Sequence, residues 1–200
     1  MNIETKPIKF HQVLPSAVGL LMLGALLSLY QNNWQWFGSL NSVVWFYGVL
    51  LGCGLYLLGY SLSWFRWTRT ASMIELLTHL HKLFRNFTWP QIIFVSLLAG
   101  IGEEWLIRAV LQSFLVENFG PASGIFLASL VFGLLHFMTK TYVLLTFVLG
   151  ALFGIAFYLT NSLILVMVAH TVYDIFAFAL IVKFPQLLGL NVGTVMHETR

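Results

Sequence analysis

Apolar residues fall in long blocks along the chain, and the polar residues between them mark where it turns. The first block covers residues 13–30 and follows Lys6 and Lys9. It ends at the bulky polar and aromatic run Gln31-Asn32-Asn33-Trp34-Gln35-Trp36, which has no small-residue cleavage pattern. The block therefore reads as a retained membrane span rather than a removed leader, with Trp34 and Trp36 at the interface. The second block covers 43–65 and contains Gly48-x-x-x-Gly52, which lets a neighbouring helix approach closely. Four more blocks follow at 91–116, 122–138, 142–159 and 163–182. Each is expected to have about the 17–25 residues that a bilayer core requires. Asn118-Phe119-Gly120-Pro121, Thr139-Lys140-Thr141 and Asn161-Ser162 are the turns between them.

Residues 71–87 follow a different rule. Met73, Leu76, Leu77, Leu80, Leu83, Phe84 and Phe87 recur at helical spacing. Glu75, Thr78, His79, Lys82, Arg85 and Asn86 fill the other face. This is the pattern of an amphipathic helix lying on the membrane surface, with His79 and His81 as solvated members of its polar side. Trp89-Pro90 ends it and opens the third span.

Composition supports the same class. Of 200 residues, 59% are hydrophobic and 8% charged, against about 25% charged in soluble domains. The fold class expected is an all-α polytopic transmembrane bundle of about six spans, plus one cytoplasmic interfacial helix. It forms one membrane domain, 1–200. The basic residues test the count. With the N-terminus cytoplasmic, Lys6, Lys9, Arg66, Arg69, Lys82, Arg85, Lys140, Lys183 and Arg200 fall on one side, and none on the other. That is the segregation the positive-inside rule expects, and it puts both termini in the cytoplasm. The net charge of +3 marks topology, not a nucleic-acid partner. Cys53 is alone and reads as a small apolar side chain.

Against this background a few strongly polar groups inside the spans stand out. They are Glu103, Glu104 and Arg108 in the third, His136 near the end of the fourth, and His170 and Asp174 in the sixth. Ionisable groups at membrane depth cost kilocalories each and mark function by default. Glu104 and Arg108 are four apart, in the favourable order for an ion pair on one helix face. Glu103 lies about 100° around the helix and has no partner in its own span. An unpaired carboxylate there suits a general base or acid. Gly100, one turn earlier, is expected to leave space beside it for water or substrate. His170 and Asp174 are also four apart, and Asp174 could hold the imidazole tautomer. The plainer readings are a structural Glu104–Arg108 pair and a histidine that only bonds helix to helix.

Together the motifs resemble those of the CPBP family, the CAAX-prenyl-protease and bacteriocin-processing intramembrane proteases, also called Abi. They are Glu103-Glu104-x-x-x-Arg108, Phe132-x-x-x-His136 and His170-x-x-x-Asp174, in order and each in its own span. The resemblance covers about residues 90–183, the motif-bearing core. It implies an intramembrane endopeptidase in which Glu103 and His136 activate water, His170 and Asp174 stabilise the oxyanion, and Glu104 with Arg108 is mainly structural. Ionised Asp174 cannot donate a hydrogen bond, so its expected role is to orient His170. The implied chemistry needs no cofactor. The nearest alternative is a zinc enzyme with Glu103, His136 and His170 as ligands; another is a non-enzymatic bacteriocin-immunity or binding protein. Expected partners are membrane lipid and a peptide or lipidated-protein substrate, with no nucleic acid. The expected location is the bacterial inner (plasma) membrane. A shared site requires His136, near the cytoplasmic end of its span, to come within reach of Glu103 through one water at most.

Overall fold

The structure, a computed structural model, describes residues 6–31, 41–65 and 69–190. Trp34, Trp36, Arg66 and Arg200 lie outside the described residues, and so do their expected roles. Every regular element among the described residues is helical. In order they are α1 (Phe10–Gln31), α2 (Ser42–Leu62), α3 (Ala71–Phe84), α4 (Trp89–Glu104), a π-helical stretch (Trp105–Gln112), α5 (Ser113–Phe119), α6 (Pro121–Leu135), α7 (Lys140–Thr160) and α8 (Leu163–Lys183). A 3₁₀ turn, Pro185–Leu188, follows.

Helices α1, α2, α7 and α8 are long and apolar enough to cross a membrane. Their outward faces carry exposed Met22, Leu26, Phe46, Leu57, Leu144 and Leu159, as lipid-facing surfaces do. The protein is an integral membrane protein built as a helical bundle. The third expected span is a run of three elements, α4, the π stretch and α5. The fourth is shorter than expected. Helix α6 ends at Leu135, not near Met138, and its 15 residues reach only about 22 Å. That is less than a hydrocarbon core of about 30 Å, and His136 caps the helix instead of sitting inside it.

The turns have local causes. Gly120 adopts φ +80°, which a side chain resists, and Pro121 then starts α6. Asn161 closes α7 in the left-handed region at φ 49°. Ser162 next accepts from Leu165 N at 3.3 Å and caps the start of α8.

Helix α8 is the centre of the bundle, with α2 and α4 its main neighbours. Glycine makes both approaches possible. A Cβ at Gly48 would lie 2.8 Å from Val168 Cβ, and one at Gly52 2.9 Å from Val172 Cβ. Gly100 does the same for α4, since a Cβ there would lie 2.7 Å from Thr171 N. It therefore admits the α8 backbone, and the space expected beside Glu103 for water or substrate is filled by Thr171.

Helix α3 is the amphipathic element, capped by Thr70, with Met73 and Leu76 buried. Phe87 is buried against Phe84, Phe10 and Phe178. His81 is not a solvated residue as expected: its Nδ1 donates to Ile181 O at 2.9 Å and ties α3 to α8. Nearby, Ile8 N donates to Leu83 O at 2.9 Å, Arg69 Nη2 to Leu188 O at 2.7 Å, and Lys183 Nζ to Phe87 O. These contacts gather Lys9, Arg69, Lys82, Arg85 and Lys183 at one end of the bundle. Next to it an apolar cavity of about 260 Å³ opens between α2, α3, α7 and α8, with Tyr56, Leu149, Leu152, Tyr173 and Leu180 on its walls.

Candidate active site

The two glutamates close α4, and the π-helical stretch starts at the next residue. A π turn bonds i to i+5, and such turns concentrate at functional sites. The wider turn leaves Ser113 Oγ to donate to Arg108 O, at 3.1 Å. Trp105 Nε1 donates to Ser28 Oγ at 2.8 Å and fixes the start of the stretch to α1.

Glu104 and Arg108 are fully buried, and Arg108 Nε donates to Glu104 Oε2 at 2.9 Å. Arg108 Nη1 also donates to Gln112 Oε1 at 3.2 Å, and Gln112 Nε2 to Gly154 O at 2.9 Å. The Arg108 guanidinium lies 5.5 Å from the Phe132 ring centroid, where the ring face attracts a cation. Gly154 is needed here, because a Cβ would lie 2.7 Å from Gln112 Oε1.

Glu104 has a second partner. His170 Nδ1 lies 2.9 Å from Glu104 Oε1. With Arg108 holding the other oxygen, the carboxylate is the acceptor and the imidazole donates. The ring stacks on Phe153, with centroids 5.1 Å apart and planes at 18°. This corrects two expectations. Glu104 is not confined to Arg108, and it, rather than Asp174, sets the His170 tautomer. Asp174 Oδ2 is 3.6 Å from Nε2, too far for a hydrogen bond.

His136 is fixed by its own helix end. Its Nδ1 lies 2.8 Å from Phe132 O. A carbonyl only accepts, so Nδ1 carries the proton, and in a neutral ring Nε2 is left with a lone pair. That Nε2 faces Glu103 Oε2 at 3.6 Å, and His170 Nε2 faces the same oxygen at 3.9 Å. Glu103 Oε2 is buried and has no hydrogen-bond partner among the described residues. The structure thus brings Glu103, His136, His170 and Asp174 together from α4, the end of α6 and α8. His136 reaches Glu103 from the C-terminal cap of α6.

Two residues that hold the site were missed in the sequence. Gln112 stands four after Arg108, a polar residue in an apolar span, and that spacing was a usable signal. Phe153 carries no signal beyond the apolar pattern of α7. Among the described residues, no group of three or more His, Cys, Asp or Glu side chains is arranged to hold a metal ion.

A carboxylate facing two imidazole nitrogens inside a membrane bundle is an arrangement for moving protons. Residues 85–176, which include every residue of this site, match the family model of the type II CAAX prenyl endopeptidase Rce1-like proteins. This segment is similar to that family. A second match is to the uncharacterized protein YpbD of Bacillus subtilis (strain 168). It is 35% identical over 96 residues, which is 46% of this chain and 47% of YpbD. The chain thus spans about half the length of the curated relative it matches. No solved structure matches the chain. The Rce1-like segment runs from the end of α3 to the middle of α8. It leaves out α1 and α2, which pack around the site without contributing to it.

Proposed function

We propose that the protein is an intramembrane endopeptidase that hydrolyses a peptide bond of a membrane-associated protein or peptide by a glutamate-activated water. The observation that carries this reading is the convergence of His136 Nε2 and His170 Nε2 on one buried, unbonded oxygen of Glu103. Glu103 takes a proton from water, and His136, with its lone pair turned toward Glu103, shares it. Hydroxide attacks the scissile carbonyl. His170, whose Nδ1 is occupied by Glu104, donates from Nε2 as an imidazolium to the developing oxyanion. Glu104 and Arg108 hold His170 and α4 in register. The chemistry calls for no metal.

The substrate proposed is CAAX-type, a peptide or protein carrying a lipid chain. The apolar cavity beside α8, walled by Tyr56, Leu149 and Leu152, would suit such a lipid chain. Bacteriocin-type processing uses the same chemistry on a different peptide. The basic end of the bundle would face the cytoplasm, with both termini on that side of a bacterial inner membrane.

The test is peptide cleavage by the purified protein in liposomes, with prenylated and unprenylated peptides, before and after chelation. Cleavage that survives chelation and is lost in Glu103→Ala and His136→Ala supports the proposal. Turnover by Glu103→Ala at the wild-type rate would overturn the glutamate role. Loss of turnover on chelation, restored by zinc, would overturn the metal-free mechanism.

A further inference from the structure

The groups facing the reacting position are rich in acceptors. Glu103 and Asp174 are carboxylates, and His136 Nε2 carries a lone pair. An oxyanion formed among them is repelled unless donors compensate, and only His170 has been assigned as one. Tyr142 lies at the edge of the same cluster. It sits on the first turn of α7, where its backbone N–H is held by Thr139 Oγ1 at 3.1 Å and its carbonyl by Thr146 Oγ1 at 2.8 Å. Its ring meets the His136 ring edge to face, with centroids 6.3 Å apart and planes at 69°. That hydroxyl makes no hydrogen bond to any described residue. A rigidly held phenol that spends its proton on no neighbour is a donor in waiting, since a phenol stays protonated at neutral pH.

We propose that Tyr142 is a catalytic residue whose hydroxyl donates a hydrogen bond to the oxyanion, beside His170. The role rests on the hydrolase reading above. As the water oxygen bonds to the carbonyl carbon, its proton passes to Glu103 and the π pair moves onto the carbonyl oxygen. Tyr142 keeps its proton and shares it with that oxygen. When the adduct collapses, the pair re-forms the carbonyl, the C–N bond breaks, and Glu103 returns the proton to the leaving amine. A donor of this kind strengthens its bond only as charge develops, so it acts on kcat more than on KM.

The experiment is Tyr142→Phe in the full-length purified protein, which keeps the ring against His136 and removes only the hydroxyl. The expected result is a fall in kcat of about 10²- to 10³-fold, with KM and the thermal midpoint near wild type. A difluorotyrosine placed at 142 should also move the alkaline limb of the kcat profile to lower pH, because a more acidic phenol loses its donor sooner. That readout does not depend on whether Tyr142→Phe folds, and a merely structural ring would not move it. An active wild type with unchanged kcat in Tyr142→Phe, or an alkaline limb that does not move, overturns the role of Tyr142 alone. A wild type that cleaves no peptide overturns the hydrolase reading and this role with it.

Discussion

His170 Nδ1 donates to Glu104 Oε1 across 2.9 Å, while the other Glu104 oxygen accepts from Arg108 at the same distance. One buried carboxylate therefore holds a cation from its own helix run and an imidazole from α8. Glu104→Ala leaves the guanidinium buried without its counter-charge, an error that typically costs about 3–5 kcal/mol. Unfolding of the purified variant in detergent should show that loss. Replacing both Glu104 and Arg108 with methionine should be milder than Glu104→Ala alone, because no uncompensated charge remains. A double variant as unstable as the single one would contradict this account.

Glu103 should behave in the opposite way. Its Oε2 is buried without a partner, so the fold gains nothing from its charge. Glu103→Gln should abolish cleavage and leave the thermal midpoint equal to or above wild type, as when a functional group is kept at the expense of stability. Thermal unfolding beside a peptidase assay checks this. A midpoint well below wild type would show that Glu103 holds the structure together.

The unequal fates of these neighbours were partly legible. Four-residue spacing on one face was enough to pair Glu104 with Arg108 and to leave Glu103 free, and the pairing survives the π-helical stretch. The stretch itself was not legible, since Trp105–Gln112 contains no Gly or Pro to mark it. The bundle, the surface helix α3 and the three helices that carry the site could be read from periodicity and polar outliers. What periodicity cannot supply is which side chain from another helix completes a pair. Glu104 takes His170 from 66 positions away, and His81 finds a carbonyl 100 positions away. Gly100 was misread for the same reason: a glycine opens space, but only packing decides whether water or a helix fills it.

Asp174 now has a lighter expected role than its spacing from His170 suggested. Glu104 holds the imidazole, and Asp174 stands 3.6 Å from Nε2 without bonding it. Asp174→Asn exchanges a carboxylate, which repels a developing negative charge, for an amide that donates. Turnover should be retained or raised, and the fold unchanged. Steady-state kinetics of the purified variant decide it. A fall of tenfold or more, about 1.4 kcal/mol in transition-state stabilisation, would return the orienting role to Asp174.

The approach of α4 to α8 offers a test in which contact and openness can be separated. A Cβ at Gly100 would overlap Thr171 Oγ1 and lie 2.7 Å from Thr171 N, while one at Gly54 would meet nothing within 4 Å. Gly54→Ala should therefore be neutral or stabilising by about 0.4–1 kcal/mol, through reduced freedom of the unfolded chain. Gly100→Ala forces the helices apart, an overpacking that typically costs about 1–3 kcal/mol. It also pushes on the residue next to His170, whose Nε2 must stay near Glu103 Oε2, now 3.9 Å away. A displacement of about 1 Å at a reacting centre can lower turnover about 10²-fold, so Gly100→Ala should lose activity beyond its loss of stability. Assays well below its unfolding temperature separate the two effects. Full activity there would mean that α8 yields without moving His170, and that Gly100 serves packing alone.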